Sequence, residues 1–165
     1  MRINVKYTLP KMKFGAKDFV NAVERAMRTQ TGPGVQRVLE GTVNGWENKP
    51  EFRFKQTTTS NKISILIYAD GKNADLYSLV NKGSPAHIIR PRQSGGLLRF
   101  QPGYSAATKP RSLMSKGKKR SGDFVSASVV SHPGFEAREF DVTTADYYEP
   151  KFQREMRASI KGIVK

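Results

Sequence analysis

"EFRFKQTTTSNKISILIYAD", Glu51 to Asp70, decides the fold class of this 165-residue chain. Two apolar–polar alternations flank the turn-forming triplet TSN. Side chains switch face at every step along a strand, so Phe52 and Phe54 share one face of the first segment. Ile63, Ile65 and Ile67 share one face of the second. Strand-favouring residues in period-two alternation around a turn predict a β-hairpin with one buried face. An antiparallel sheet therefore organises the chain.

On the N-terminal side, "RINVKY" alternates through Ile3, Val5 and Tyr7 and suits a short strand that Pro10 ends. Phe19, Val23 and Met27 then recur at every fourth residue, with Val20 and Ala26 beside them. That spacing forms one apolar helix face and predicts a helix from about Ala16 to Thr29, with Gly32, Pro33 and Gly34 as its stop. "VQRVLEGTVNGW" fits either a second helix or a partly extended segment.

On the C-terminal side, "ADLYSLVNKGSPAH" reads as one or two helical turns ending at Gly83. "HIIRPR" and "GLLRF" flank "QSGG" and suggest a second, shorter hairpin. "FVSASVV" alternates through Val125, Ala127 and Val129 as a third strand region, and His132, Pro133 and Gly134 then form a turn. Tyr148, Phe152, Met156 and Ile160 are spaced by four and predict a closing helix. Thr143 or Thr144 is the expected cap, Asp146 and Glu149 lie near the positive end, and Pro150 is expected close to the first regular turn. The predicted fold is α+β: a single domain over 1–165, its antiparallel sheet packed by an N-terminal and a C-terminal helix.

The chain carries a net charge of +15, which favours nucleic acid, an acidic membrane or an acidic protein partner. It has no cysteine, which excludes disulfides, thiol nucleophiles and cysteine-bound zinc and fits a reducing compartment such as the cytoplasm. No apolar run approaches the roughly 20 residues of a membrane span, so no membrane partner is expected. The two histidines, His87 and His132, sit beside turn residues, and no G-x-S-x-G elbow, phosphate-binding glycine loop or metal-ligand spacing accompanies them. Neither an enzyme nor a cofactor or metal site is expected.

The distribution of charge says more. Between Leu76 and Gly122 there is no Asp or Glu, while Lys82, Arg90, Arg92, Arg99, Lys109, Arg111, Lys116, Lys118, Lys119 and Arg120 are all basic. Residues 101–123 are rich in Gly, Pro, Ser and Lys and are expected to form a mobile basic loop. Such a loop can follow a phosphate backbone without reading bases, or dock on an acidic neighbour. From Phe135 onward come Glu136, Glu139, Asp141, Asp146, Glu149 and Glu155. Basic and acidic segments in one chain allow copies to pair head to tail, and such contacts close into rings when the rotation permits.

"LYSLVNKGSPAHIIRPRQSGGLLRF", Leu76 to Phe100, followed by "VVSHPGFEAREF", Val129 to Phe140, and a terminal helix resembles the tail-completion and neck proteins of long-tailed bacteriophages. The shared pattern is an aromatic-led segment ending in a glycine turn (Tyr77 to Gly83), a histidine (His87) and a Leu-x-Phe hairpin end (Leu98 to Phe100). A variable loop follows, then a His-Pro-Gly turn (His132, Pro133, Gly134), a downstream Phe140 and the closing helix. The chain departs from the pattern at Asn81 to Ser84, at Arg138 and Glu139, and in its enlarged loop from Gln101 to Gly122. The resemblance implies a non-enzymatic virion protein, made in the host cytoplasm. It would form a ring homo-oligomer, a hexamer, between neck and tail-tube proteins around the DNA channel. The basic loop would then face DNA non-specifically or an acidic neighbour. The alternative is a stand-alone basic nucleic-acid-binding module without catalysis.

Overall fold

The structure is a computed structural model that describes residues 1–6, 15–101, 108–114 and 122–163. Strand β1 (Arg2–Lys6) precedes helix α1 (Ala16–Ala26), a wide π turn (Met27–Thr31) and helix α2 (Gly32–Thr42). Strands β2 (Glu51–Thr59) and β3 (Lys62–Asp70) form the hairpin, and α3 (Ala74–Lys82) follows. Four three-residue strands come next: β4 (His87–Ile89), β5 (Leu98–Phe100), β6 (Val125–Ala127) and β7 (Val130–His132). Helix α4 (Phe140–Lys161) closes the chain.

The main sheet is antiparallel in the order β1-β3-β2. Phe54 stands opposite Ile67 and Thr58 opposite Ile63, the register a short turn imposes. Ile63, Ile65 and Ile67 are completely buried, so the alternation read in the sequence is the core face of the hairpin. Helix α2 lies on that face and carries α4 on its other side. Two residues apart on a helix point about 200° apart, that is, to nearly opposite sides. Gly32 accordingly faces Ile65 and Phe54, and Gly34 faces the Tyr148 ring of α4.

These glycines explain why the Gly-Pro-Gly triplet does not end the helix. They are there for close approach, since a methyl group at Gly34 would overlap the Tyr148 hydroxyl. Pro33 falls in the first turn of α2, where its missing N–H is tolerated. The preceding π turn, in which the Gly32 N–H reaches back to the Met27 carbonyl, makes room for it. Residues 35–42 are helical, which resolves the ambiguous segment.

Three further expectations need correction. Helix α4 begins at Phe140 and contains Pro150 well inside it. Its anchor is tertiary: Phe140, Thr144, Tyr148 and Met156 are buried, and packing outweighs the single hydrogen bond that proline removes. The cap is neither Thr143 nor Thr144. The Asp141 N–H donates to Asn81 Oδ1 at 3.3 Å, Thr143 donates back to the Glu139 carbonyl, and Thr144 is buried. Nor do "HIIRPR" and "GLLRF" pair with each other. β4 pairs with β7 and β5 with β6, so "FVSASVV" is split between two short ladders.

An aromatic cluster holds the segment between α3 and α4 at both ends. Tyr77 of α3 and Phe140 of α4 stack at 5.6 Å, Phe52 meets the Tyr77 ring edge-on at 5.0 Å, and Trp46 abuts Phe140 at 6.4 Å. Such contacts add about 0.5–1.5 kcal/mol per pair beyond burial of area. The result is a single α+β domain with helices 16–42 and 140–161 packed on small antiparallel sheets. No helix among the described residues is long and apolar enough to cross a membrane.

A basic arm as the candidate functional site

The described residues between Gly83 and Arg138 leave the body of the domain as an arm and come back, apart from 108–114, which lie against the body. Gly83 ends α3 with φ of 77°, and Ser84 then exchanges backbone hydrogen bonds with Phe135 at 3.0 and 2.9 Å. The return strand re-enters through the Arg138 N–H, bonded to the Val80 carbonyl, and the Glu139 N–H, bonded to that of Asn81. The Asn81 side chain donates to Asp141 at 3.1 Å, so the two flanking helices share one polar clamp. Burial pushes the nearby Tyr77 hydroxyl above its ordinary range, with the Asp141 charge adding to the effect.

At the root of the arm, the SHPG turn has a plain structural job. His132 Nδ1 accepts the Gly134 N–H at 3.0 Å, so the histidine caps the turn. Gly134 has φ of 79°, and a Cβ there would come within 2.6 Å of the Pro85 carbonyl carbon, so only glycine fits. His132 stands opposite His87 across the β4–β7 ladder, the rings stacked at 5.0 Å. His87 Nδ1 lies 2.9 Å from the Pro85 carbonyl oxygen and 3.2 Å from the Ser84 hydroxyl. Both histidines thus use a ring nitrogen on backbone. Among the described residues no three His, Asp or Glu side chains gather to hold a metal ion.

The arm itself is a thin ribbon. β5 and β6 pair Leu98 with Ala127, Arg99 with Ser126 and Phe100 with Val125, which puts the apolar pairs on one face and Arg99 on the other. The Arg99 guanidinium covers the Phe124 ring at 4.6 Å. Beyond the strands, Gln101 donates to the Gly122 carbonyl at 3.1 Å and closes the ribbon end. Arg90 and Arg92 lie on the segment joining β4 to β5, both exposed.

The expected mobile loop over 101–123 is not one unit. Residues 108–114 fold back onto the body: Thr108 is buried, and the Arg111 N–H donates to the Arg138 carbonyl at 3.2 Å. Arg111 Nε pairs with Glu139 at 3.0 Å. Both partners of this pair hold left-handed backbone, φ 52° for Arg111 and 51° for Glu139, which the tertiary contacts must sustain. Arg111 is thereby committed to its own chain. Arg90, Arg92 and Lys109 are exposed and make no ion pair among the described residues, which leaves them available to a partner. Lys116, Lys118, Lys119 and Arg120 lie outside the described residues.

Two features escaped the sequence. Arg138 is 9% exposed, its Nη1 bonded to the Glu136 carbonyl at 3.2 Å, so the residue that departs from the phage pattern is part of the arm's root. The second feature is apolar: Ile88, Leu97, Phe124 and Val129 are exposed along the arm, at 60, 66, 56 and 49%. Their signal was the pairing of apolar dipeptides with arginines in "HIIR" and "LLRF", which resembles an ordinary half-buried strand. Compared with protein-family models, with curated proteins and with solved structures, the chain finds no match.

Proposed function

We propose that this chain is a non-catalytic structural protein of the head–tail junction of a long-tailed bacteriophage. In this proposal it forms a ring that completes the tail and joins it to the head connector around the DNA channel. One observation carries the proposal: among the described residues, none of the buried or packed hydrophobic core residues falls between Ser84 and Ala137, although the arm is tied to the body at its root and strongly basic. A segment whose described residues contribute no apolar side chain to the core gains its burial elsewhere, in contact with other molecules. The sequence resemblance to phage neck proteins gives that contact a setting. A positive surface beside a DNA channel lowers the electrostatic cost of passing a polyanion.

The test is electron microscopy of the purified full-length protein, alone and with tail tubes. Rings, or protein capping the tube ends, support the assignment. A monomer that never joins tubes refutes it. If that monomer instead binds duplex DNA with a steep linear dependence of log affinity on log salt, the chain is a stand-alone nucleic-acid-binding module.

A further inference from the structure

The arm presents an apolar surface, and the first half of α4 presents its electrostatic complement. Ile88 on β4, Phe100 on β5 and Val125 on β6 are exposed, as are Leu97, Phe124 and Val129 beside these two short ladders. Single exposed apolar residues are ordinary, but six on and beside two short ladders, with no third strand and no share in the core among the described residues, form an unpartnered surface. Residues 84–134 carry Arg90, Arg92, Arg99, Lys109, Arg111, Lys116, Lys118, Lys119 and Arg120 against the single acid Asp123. Residues 135–150 reverse the balance, with Glu136, Glu139, Asp141, Asp146 and Glu149 against Arg138, which is buried.

Within that acidic stretch, Val142, Asp146 and Glu149 are spaced by four and three, so they line one helix face. Val142 and the flanking Tyr147 are exposed, and neither Asp146 nor Glu149 makes an ion pair among the described residues. One pairing of this kind already exists inside a single copy, where Arg111 meets Glu139 just before the helix. That contact occupies the helix start and leaves the next two turns of the acidic face open.

We propose that the arm of one copy lies along the Val142–Glu149 face of α4 in a second copy, with Leu97 and Phe124, which share the Arg99 face of the β5–β6 ladder, against Val142 and Tyr147, and with Arg99, Arg90 and Arg92 against Asp146 and Glu149. This rests on the ring assignment above and specifies its contact. The two surfaces differ, so the contact is heterologous: each copy donates an arm and accepts one, and the chain of contacts closes into a ring or continues as a filament.

Charge exchange tests the pairing, with mass measured by native mass spectrometry and sedimentation at low salt. One full-length variant carries Arg90→Glu, Arg92→Glu and Arg99→Glu, and the other Asp146→Arg and Glu149→Arg. All five positions are exposed, and circular dichroism checks that each variant folds. Each variant alone puts like charges together and should associate at least about tenfold more weakly than the unaltered chain. An equimolar mixture should regain assembly, because both kinds of contact between unlike copies are then complementary, and the recovered species should contain the two variants in equal numbers.

Unchanged association of either variant, or no recovery on mixing, overturns the proposal. A wild-type chain that stays monomeric, or whose arm binds duplex DNA in place of a second copy, also overturns it. The two levels separate cleanly. Rings that still join tail tubes when each variant is used alone refute only the arm-to-helix contact, whereas a wild-type chain that forms no rings and joins no tubes removes the ring assignment itself.

Discussion

Substituting Gly34→Ala sets two effects of opposite sign against each other. In an exposed helix the change would stabilise by about 1 kcal/mol, since glycine is the poorer helix former. Here the new Cβ would lie 2.7 Å from Tyr148 Cζ and 2.9 Å from Cε2, and closer still to the hydroxyl oxygen. The ring cannot swing away freely. It is 1% exposed, its hydroxyl donates to Glu155 Oε1 at 2.8 Å, and the Thr31 hydroxyl holds the other carboxylate oxygen at 2.9 Å. Overpacking costs about 1–3 kcal/mol, and displacing the ring from the carboxylate about 1.5–3 more. With the helix gain subtracted, the net loss should be about 1.5–5 kcal/mol, a large share of the roughly 5–15 kcal/mol that domains possess.

The assay is urea unfolding followed by fluorescence of Trp46, the single tryptophan, which contacts Tyr77 and Phe140 in the core. The midpoint should fall with the slope unchanged. Gly41→Ala is the internal control: in the same helix, its nearest new contact is the Leu113 carbonyl at 4.0 Å, so it should gain about 0.5–1 kcal/mol. Combining Gly34→Ala with Tyr148→Phe should cost less than the two changes summed. A Gly34→Ala protein as stable as the unaltered chain would refute the close packing of α2 against α4.

Other consequences follow from the same contacts. Glu155→Ala leaves the Thr31 and Tyr148 hydroxyls without their acceptor and should cost about 2 kcal/mol or more in the same unfolding assay. Pro150→Ala restores an N–H inside α4 at an exposed position and should raise stability by about 2 kcal/mol, visible as a higher melting temperature. Burial holds the Tyr77 and Tyr148 hydroxyls above their ordinary range, with Asp141 and Glu155 respectively adding to it. The unfolded tyrosines ionise at about pH 10, so stability should be complete below that pH and fall as pH rises above it. Melts across that range should show a shallower fall in Tyr77→Phe. Arg111→Ala breaks an exposed ion pair and should change global stability by less than about 1 kcal/mol, yet speed hydrogen exchange at residues 108–114.

What could be read from the sequence was whatever repeats locally. The hairpin was legible because alternation and a turn are written within twenty consecutive residues, and both helices because Phe19, Val23 and Met27, or Tyr148, Phe152 and Met156, mark one face. Gly32, Pro33 and Gly34 misled because the same letters serve a chain break and a tight helix crossing, and only the neighbour distinguishes them. The short strands carry no partner code: three residues such as His87–Ile89 alternate identically whether they pair with Leu98 or with His132. At the arm, the excess of positive charge was plain in the composition. Its partition was not, because the Arg111–Glu139 pair joins residues far apart in sequence, and the exposure of Leu97 or Phe124 depends on which layers pack over them, which no local pattern encodes.

The wide turn at Met27–Thr31 bears on how this helix came to keep a single inner face. Val23, Met27, Thr31, Val35, Leu39 and Val43 are all buried and follow one another at an unvarying interval of four. An α-helix turns about 100° per residue, so each such step overshoots by about 40°, and six positions would wind about 200° around the axis, carrying the last of them into solvent. A turn that spends more residues per revolution takes back part of that drift, midway along. The turn is thus a phase correction, equivalent to one residue inserted into a regular helix. Deleting a single residue between Met27 and Thr31 should leave the helix intact but rotate Val35 and Leu39 away from the sheet, so a change that improves local helical regularity should cost the protein its core.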